Sequence, residues 1–149
     1  MKISPTIMAK VLAAWKTSRL ELGAEVNFVS SMTWQSIPPP ADPETPNSFG
    51  FSPQSTPEKD LVLILISDFY DDPSNATAVQ SSLNALVNTI DSVAAQEGSS
   101  YPYVYLNYAA DFQNPLGSTG VEYIQQLVAK KYDPCGMFQT QLVGGFKLF

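Results

Sequence analysis

LVLILIS, residues 61–67, sets six aliphatic side chains in a row and ends on a serine. The run is too short for a long buried helix and rich in Val and Ile. It reads as a strand buried on both faces or at the centre of a sheet. Upstream, Val26, Phe28, Met32 and Trp34 alternate with polar residues, so residues 25–37 read as a half-buried strand. Between the two lies PPPADPETPNSFGFSPQSTPEKD, whose prolines and small polar residues make a loop. A helix precedes them. Ser4-Pro5 supplies an N-cap and first turn, Ile7, Met8, Val11, Leu12, Trp15 and Leu22 keep helical spacing, and Gly23 is a stop.

A second helix follows, capped by Ser74 or Asn75 and ended by Gly98. Its apolar stripe is Val79, Leu83, Leu86, Val87, Ile90, Val93 and Ala94. Next comes YPYVYLNYAADFQNPLGSTG, residues 101–120. Tyr103, Tyr105 and Asn107 alternate there with Pro102, Val104 and Leu106, which predicts a third strand. Ser118 or Thr119 opens a last helix, with Val121, Ile124, Leu127 and Val128 inward and YDP closing it. The tail MFQTQLVGGFKLF reads as irregular. The expected fold class is α+β: a small, mostly antiparallel sheet with helices packed on one face. Three strands are few for an independent sheet, so it reads as part of a larger one.

At 149 residues the chain can bury a core, and 44% apolar against 15% charged residues excludes disorder throughout. A net charge of −6 argues against binding nucleic acid or anionic membrane. With no histidine, a His general base, a Ser-His-Asp triad and a His/Cys zinc site are excluded within the chain, and no metal site is expected. The single Cys135 can form no internal disulfide and reads as an ordinary thiol. The N-terminus is too interrupted by Lys and Arg for a signal sequence, so the chain as written is expected in the cytosol. The sequon at Asn75 is the one sign of a secreted parent.

No phosphate-binding glycine pattern is present. Asp71-Asp72 precedes a helix, where negative charge suits the dipole, and Asp111 reads as a turn residue. Two strand faces stand out. One bears Asn27, Val29, Ser31, Thr33 and Gln35; the other bears Tyr103, Tyr105 and Asn107. A face turned to water normally carries Lys and Glu, whereas these side chains suit a desolvated, hydrogen-bonding surface. An ordinary Tyr-rich β face would share that pattern, since Tyr favours strands.

Tyr105-Leu106-Asn107-Tyr108, the loop Gly117 to Gly120, Lys131-Tyr132-Asp133-Pro134 with Phe138, and Gly144-Gly145-Phe146-Lys147-Leu148 together form a specific combination. It resembles the berberine-bridge-enzyme-like C-terminal segment of fungal FAD-linked oxidases, over about residues 101–149. SSMTWQSIPPP upstream looks like the substrate-domain strand of that family.

The resemblance implies that residues 1–149 are the C-terminal part of a substrate domain, whose sheet lies over the flavin of a module not represented in this sequence. It implies FAD as cofactor, bound mainly by that module, and a small organic substrate and O2 as partners. Tyr105 and Gln35 would be catalytic, Asn107 and Tyr103 would contact the cofactor, and Thr33 and Tyr108 the substrate. Where the family's helix often opens with Tyr-Gly, Thr119-Gly120 stands here. Taken alone the chain is expected to be inactive. A non-catalytic module binding a small molecule or a partner, and one half of a two-chain flavoenzyme, are the other readings.

Overall fold

Ser4 is extended, and its Oγ accepts a hydrogen bond from the Ile7 amide at 3.2 Å. With Pro5 in the first turn, that cap starts α1, Pro5–Gly23, as the sequence suggests. The computed structural model describes residues 1–42, 44, 51, 57–119 and 122–148. They divide into two compact units, one of Met1–Pro38 with Lys59–Tyr101 and one of Pro39–Glu58 with Pro102–Phe149.

In the first unit α1 is followed by β1, Phe28–Ile37, and β2, Leu61–Tyr70. The first strand starts at Phe28 rather than Glu25. The Glu25 and Val26 amides turn back to the Leu22 carbonyl at 3.0 and 2.9 Å and finish the helix end instead. The strands run antiparallel, with Phe28 opposite Tyr70 and Ile37 opposite Leu61. Residues opposite one another share a face. On one face Met32, Trp34, Ile64 and Ile66 pack against Ile7 and Val11 of α1 and Leu86, Ile90 and Ala94 of α2, Ala76–Gln96. Burying such aliphatic groups contributes about 1.5–3 kcal/mol each. The other face carries Val29, Ser31, Thr33 and Gln35 across from Phe69, Ser67, Leu65 and Leu63.

α2 is entered differently from the expectation. Asp72 makes the cap: its Oδ1 accepts from the Ser74 amide at 2.9 Å and opens a single 3-10 turn, Pro73–Asn75. Asn75, next to the helix, makes no side-chain cap bond. Asp72 is held below its ordinary carboxylate range by the Ser74 backbone bond. After Gln96 the chain leaves through Gly98 at φ 63°, a left-handed conformation that glycine adopts without steric cost.

One polar cluster ties all four elements together. Arg19 of α1 is ion-paired with Asp68 of β2, and both side chains are buried. The Arg19 Nη2 also donates to Ser18 and to Ser82 of α2, each at 2.9 Å, and the guanidinium lies 5.7 Å from the ring centre of Phe28.

The second unit departs most from expectation. Tyr101 to Tyr105 joins no strand ladder, so the sheet among the described residues has two strands, not three. The Val104 amide is satisfied by the Ser118 hydroxyl at 2.9 Å, which itself donates to the Pro115 carbonyl at 2.7 Å. One side chain thus replaces the neighbouring strand. The chain then folds into a 3-10 turn at Leu106–Tyr108. Helix α3 is Glu122–Tyr132, preceded by a 3-10 turn at Gly117–Thr119. Leu127 and Val128, expected inward, are about half exposed. Val121 and the side chain of Ile124 lie outside the described residues.

The tail is more ordered than its composition suggests. The Asp133 carboxylate accepts from the amides of Met137 and Phe138 at 2.8 and 2.9 Å and starts α4, Met137–Thr140. Gly136, at φ 65°, makes the left-handed entry. Lys147 donates to the carbonyls of Phe138 and Leu142, at 3.1 and 2.9 Å. Leu148 is held from both sides, its amide by Gln139 and its carbonyl by Gln126, each at 2.9 Å.

Candidate functional site

Two groups of side chains that the sequence singles out are each assembled by local geometry. On β1, Thr33 and Gln35 point to the outer face and are exposed, directly across from Leu65 and Leu63. The helix-facing residues between them, Met32 and Trp34, turn the other way into the core. Strand alternation alone accounts for this. The outer face also exposes the cross-strand pair Val29 and Phe69, at 68% and 65%. It therefore combines polar hydrogen-bonding groups with apolar surface, and among these eight side chains no Lys or Glu is present.

The second group lies around the 3-10 turn. The Tyr108 amide bonds to the Tyr105 carbonyl at 3.0 Å, closing the turn and folding the intervening side chains back on themselves. Asn107 Nδ2 then donates to the Tyr105 hydroxyl at 2.8 Å. The rings of Tyr105 and Tyr108 meet edge to face, with centroids 5.0 Å apart and planes at 86°. That arrangement places a positive ring edge on a negative ring face. The expected common strand face of Tyr103, Tyr105 and Asn107 does not form, because the chain turns at Leu106. Leu106, expected to pack inward, is about half exposed.

Tyr103 has a different environment. Its ring stacks at a tilt on Phe51, with centroids 4.6 Å apart. Burial pushes its phenol up to about 12, and neighbouring Tyr105 adds to the shift. At neutral pH it is therefore a neutral hydrogen-bonding group and not a base.

Tyr105, Asn107 and Tyr108 are thus brought together, Tyr103 pairs with Phe51, and Thr33 and Gln35 share the β1 face. Phe51 was hidden in a proline-rich loop and had no periodic signal. Ser118 is, with Thr119, one of two helix starts that the sequence offers, and its bonds to residues 104 and 115 have no signal in the spacing. Cys135 is exposed, with a free thiol. Among the described residues no group of three His, Cys, Asp or Glu converges to hold a metal ion. Among the described residues, no helix is long and apolar enough to cross a membrane.

Comparison with known proteins points to flavoenzymes. The chain is 33% identical over 91 residues to FAD-dependent monooxygenase drtC of Aspergillus calidoustus, an alignment covering 60% of this chain and 17% of that protein. It is 43% identical over 61 residues to FAD-dependent monooxygenase sdcF of Emericella nidulans, covering 40% of this chain and 13% of that protein. A longer alignment, 141 residues at 28% identity, covers 90% of this chain and 11% of a protein named oligopeptidase PhomG' from Diaporthe leptostromiformis. The chain thus spans less than a fifth of the length of these relatives. No family model matches it, and no solved structure matches it.

Proposed function

We propose that this chain is the C-terminal substrate-domain portion of an FAD-dependent oxidoreductase acting on a small organic substrate, with a berberine-bridge-enzyme-like segment over about residues 101–149. The observation that carries the reading is the turn joining Tyr105, Asn107 and Tyr108. It holds a phenol, an amide and a second ring together on a chain whose relatives include fungal FAD-dependent monooxygenases. The donor set suits a flavin and its substrate. Phenols and amides offer neutral hydrogen bonds to ring carbonyls and nitrogens, and flat rings cover planar ligands. The Thr33 and Gln35 face supplies the same chemistry on an apolar background.

The bound flavin would supply a two-electron acceptor for the substrate's hydride and pass those electrons to O2, giving hydrogen peroxide. Tyr105 would hydrogen-bond the substrate hydroxyl, take up its proton as the carbon gives up its hydride, and pass its own phenol proton to solvent. Tyr108 would line the substrate beside it. In the first unit, Gln35 would be the catalytic candidate and Thr33 the substrate contact of their own strand face. Asn107 and Tyr103 would lie toward the cofactor, Tyr103 as a neutral donor. The FAD itself would be held mainly by sequence that corresponds to the larger part of the relatives. On its own the chain would turn nothing over.

The relatives' names favour a second outcome, insertion of one oxygen atom from O2. Products separate the two. Oxidase chemistry releases one peroxide per substrate and leaves 18O from labelled O2 out of the product; oxygen insertion puts it in. The site assignment is tested in an enzyme carrying this segment together with a flavin-binding portion. Tyr105→Phe should lower turnover at least tenfold while flavin content changes little. Unchanged turnover would remove Tyr105 from the site. Saturable binding of a small aromatic by the lone chain, with no flavin module able to join it, would instead support a non-catalytic module.

A further inference from the structure

We infer that Asn107 is a positioning residue, which sets the direction in which the Tyr105 hydroxyl donates its proton. The inference rests on the flavoenzyme reading for its purpose, not for its geometry. A phenol oxygen can accept and donate, and its single proton can point one way at a time. An amide Nδ2 can only donate. Because Asn107 Nδ2 approaches the Tyr105 hydroxyl at 2.8 Å, the phenol is the acceptor in that bond, and its own O–H is directed away from Asn107. Edge-to-face packing with Tyr108 holds the Tyr105 ring at a fixed angle, so the direction is set in two ways. Both constraints come from within one closed turn, whose backbone bond runs from the Tyr108 amide to the Tyr105 carbonyl.

The spacing explains the residue type at position 107. Two residues beyond Tyr105, a 3-10 turn brings the short Asn side chain back to the Tyr105 hydroxyl. An Asp in the same place keeps the shape and reverses the polarity. A carboxylate only accepts, so the Tyr105 O–H would turn inward to meet it. A Leu removes the bond and keeps the bulk.

The test uses the full chain labelled with 3-fluorotyrosine and followed by fluorine NMR, with the Tyr105 resonance assigned from Tyr105→Phe. Asn107→Asp and Asn107→Leu should each displace the Tyr105 resonance while the resonances of tyrosines outside the turn stay in place. A reciprocal measurement needs no change at Asn107: in Tyr105→Phe, the Asn107 side-chain amide protons should shift to the positions of a solvent-exposed amide. In the reconstituted flavoenzyme, Asn107→Asp should lower kcat per bound flavin at least tenfold with KM within about twofold. If the Tyr105 resonance and the Asn107 amide protons ignore these changes, the inference falls, whatever the flavin does. If they respond and kcat does not, the positioning role in the reaction falls. If they respond and no flavin binds any assembly, the orientation stands and the flavoenzyme reading fails.

Discussion

The two units are built on opposite principles. The first, with α1, β1, β2 and α2, rests on contacts far apart in sequence: Ile7 and Val11 against Leu86, Ile90 and Ala94, Arg19 against Asp68, and β1 against β2. The second is closed by polar bonds that single side chains make over spans of 2 to 22 residues. Ser118 satisfies Val104, Asp133 starts α4, Asn107 holds Tyr105, and Gln126 and Gln139 hold Leu148. The difference separates a unit held by an aliphatic core, which carries Thr33 and Gln35 on a strand face, from one whose side-chain-closed turns gather Tyr105, Asn107 and Tyr108. A core of interdigitated aliphatic groups is stiff and tolerates little change. Turns closed by side chains sit at the surface and place functional groups at little cost in buried area.

Substitutions that strain this contrast should differ in size. The largest effect is expected at the buried ion pair. Arg19→Met leaves the Asp68 carboxylate buried without its partner and should cost about 3–5 kcal/mol. Replacing Asp68 by Leu as well should recover much of that loss. Denaturant titration followed by tryptophan fluorescence reads this directly, since Trp15 and Trp34 both lie in the first unit. If the double variant is no more stable than Arg19→Met, the pair is not acting as a unit. Leu86→Ala, at a position 2% exposed, comes next at about 2–5 kcal/mol by the same measurement. A loss below about 1 kcal/mol would mean that the helix–sheet core repacks freely.

In the second unit the expected changes are smaller. Asp133→Ala removes the cap of α4 and should cost about 0.5–2 kcal/mol, read as faster amide hydrogen exchange at Met137 and Phe138. The Tyr103 phenol gives a pH signature. Its folded value is raised to about 12 from 10.0, so the folded state keeps its proton where the unfolded chain loses it. That stabilisation is whole below the unfolded value and is lost as pH rises from there through the folded one. Tyr103→Phe should flatten the decline in stability over that alkaline range. An unaltered decline would assign it to other groups.

The same contrast explains what could be read in advance. The helices and strands of the first unit follow from periodic apolar residues. Ser4-Pro5 starts α1, Gly23 ends it, and Thr33 and Gln35 come out on the face opposite Met32 and Trp34. Alternation also suggested a strand at Tyr103, Tyr105 and Asn107, and there it misled. A strand needs a neighbour with free backbone groups, and here Ser118 satisfies Val104 while the chain turns at Leu106. Helix caps were legible only to the nearest few residues, since Asp72, Ser74 and Asn75 can all cap and geometry selects Asp72. The Arg19–Asp68 pair carried no local signal at all, because nothing in the spacing of two residues so far apart says that they meet. The residue types at the candidate site were legible, and the turn that gathers Tyr105, Asn107 and Tyr108 was not.

The account turns on Tyr105 serving a flavin-dependent reaction. The most direct measurement exchanges the matching segment of a fungal FAD-dependent monooxygenase for this chain and follows visible flavin absorbance and substrate turnover, with and without Tyr105→Phe. The account predicts a flavin-loaded chimera that turns over, and a variant that keeps its flavin but loses at least nine-tenths of its rate. A folded, flavin-loaded chimera whose rate is indifferent to Tyr105 would contradict it.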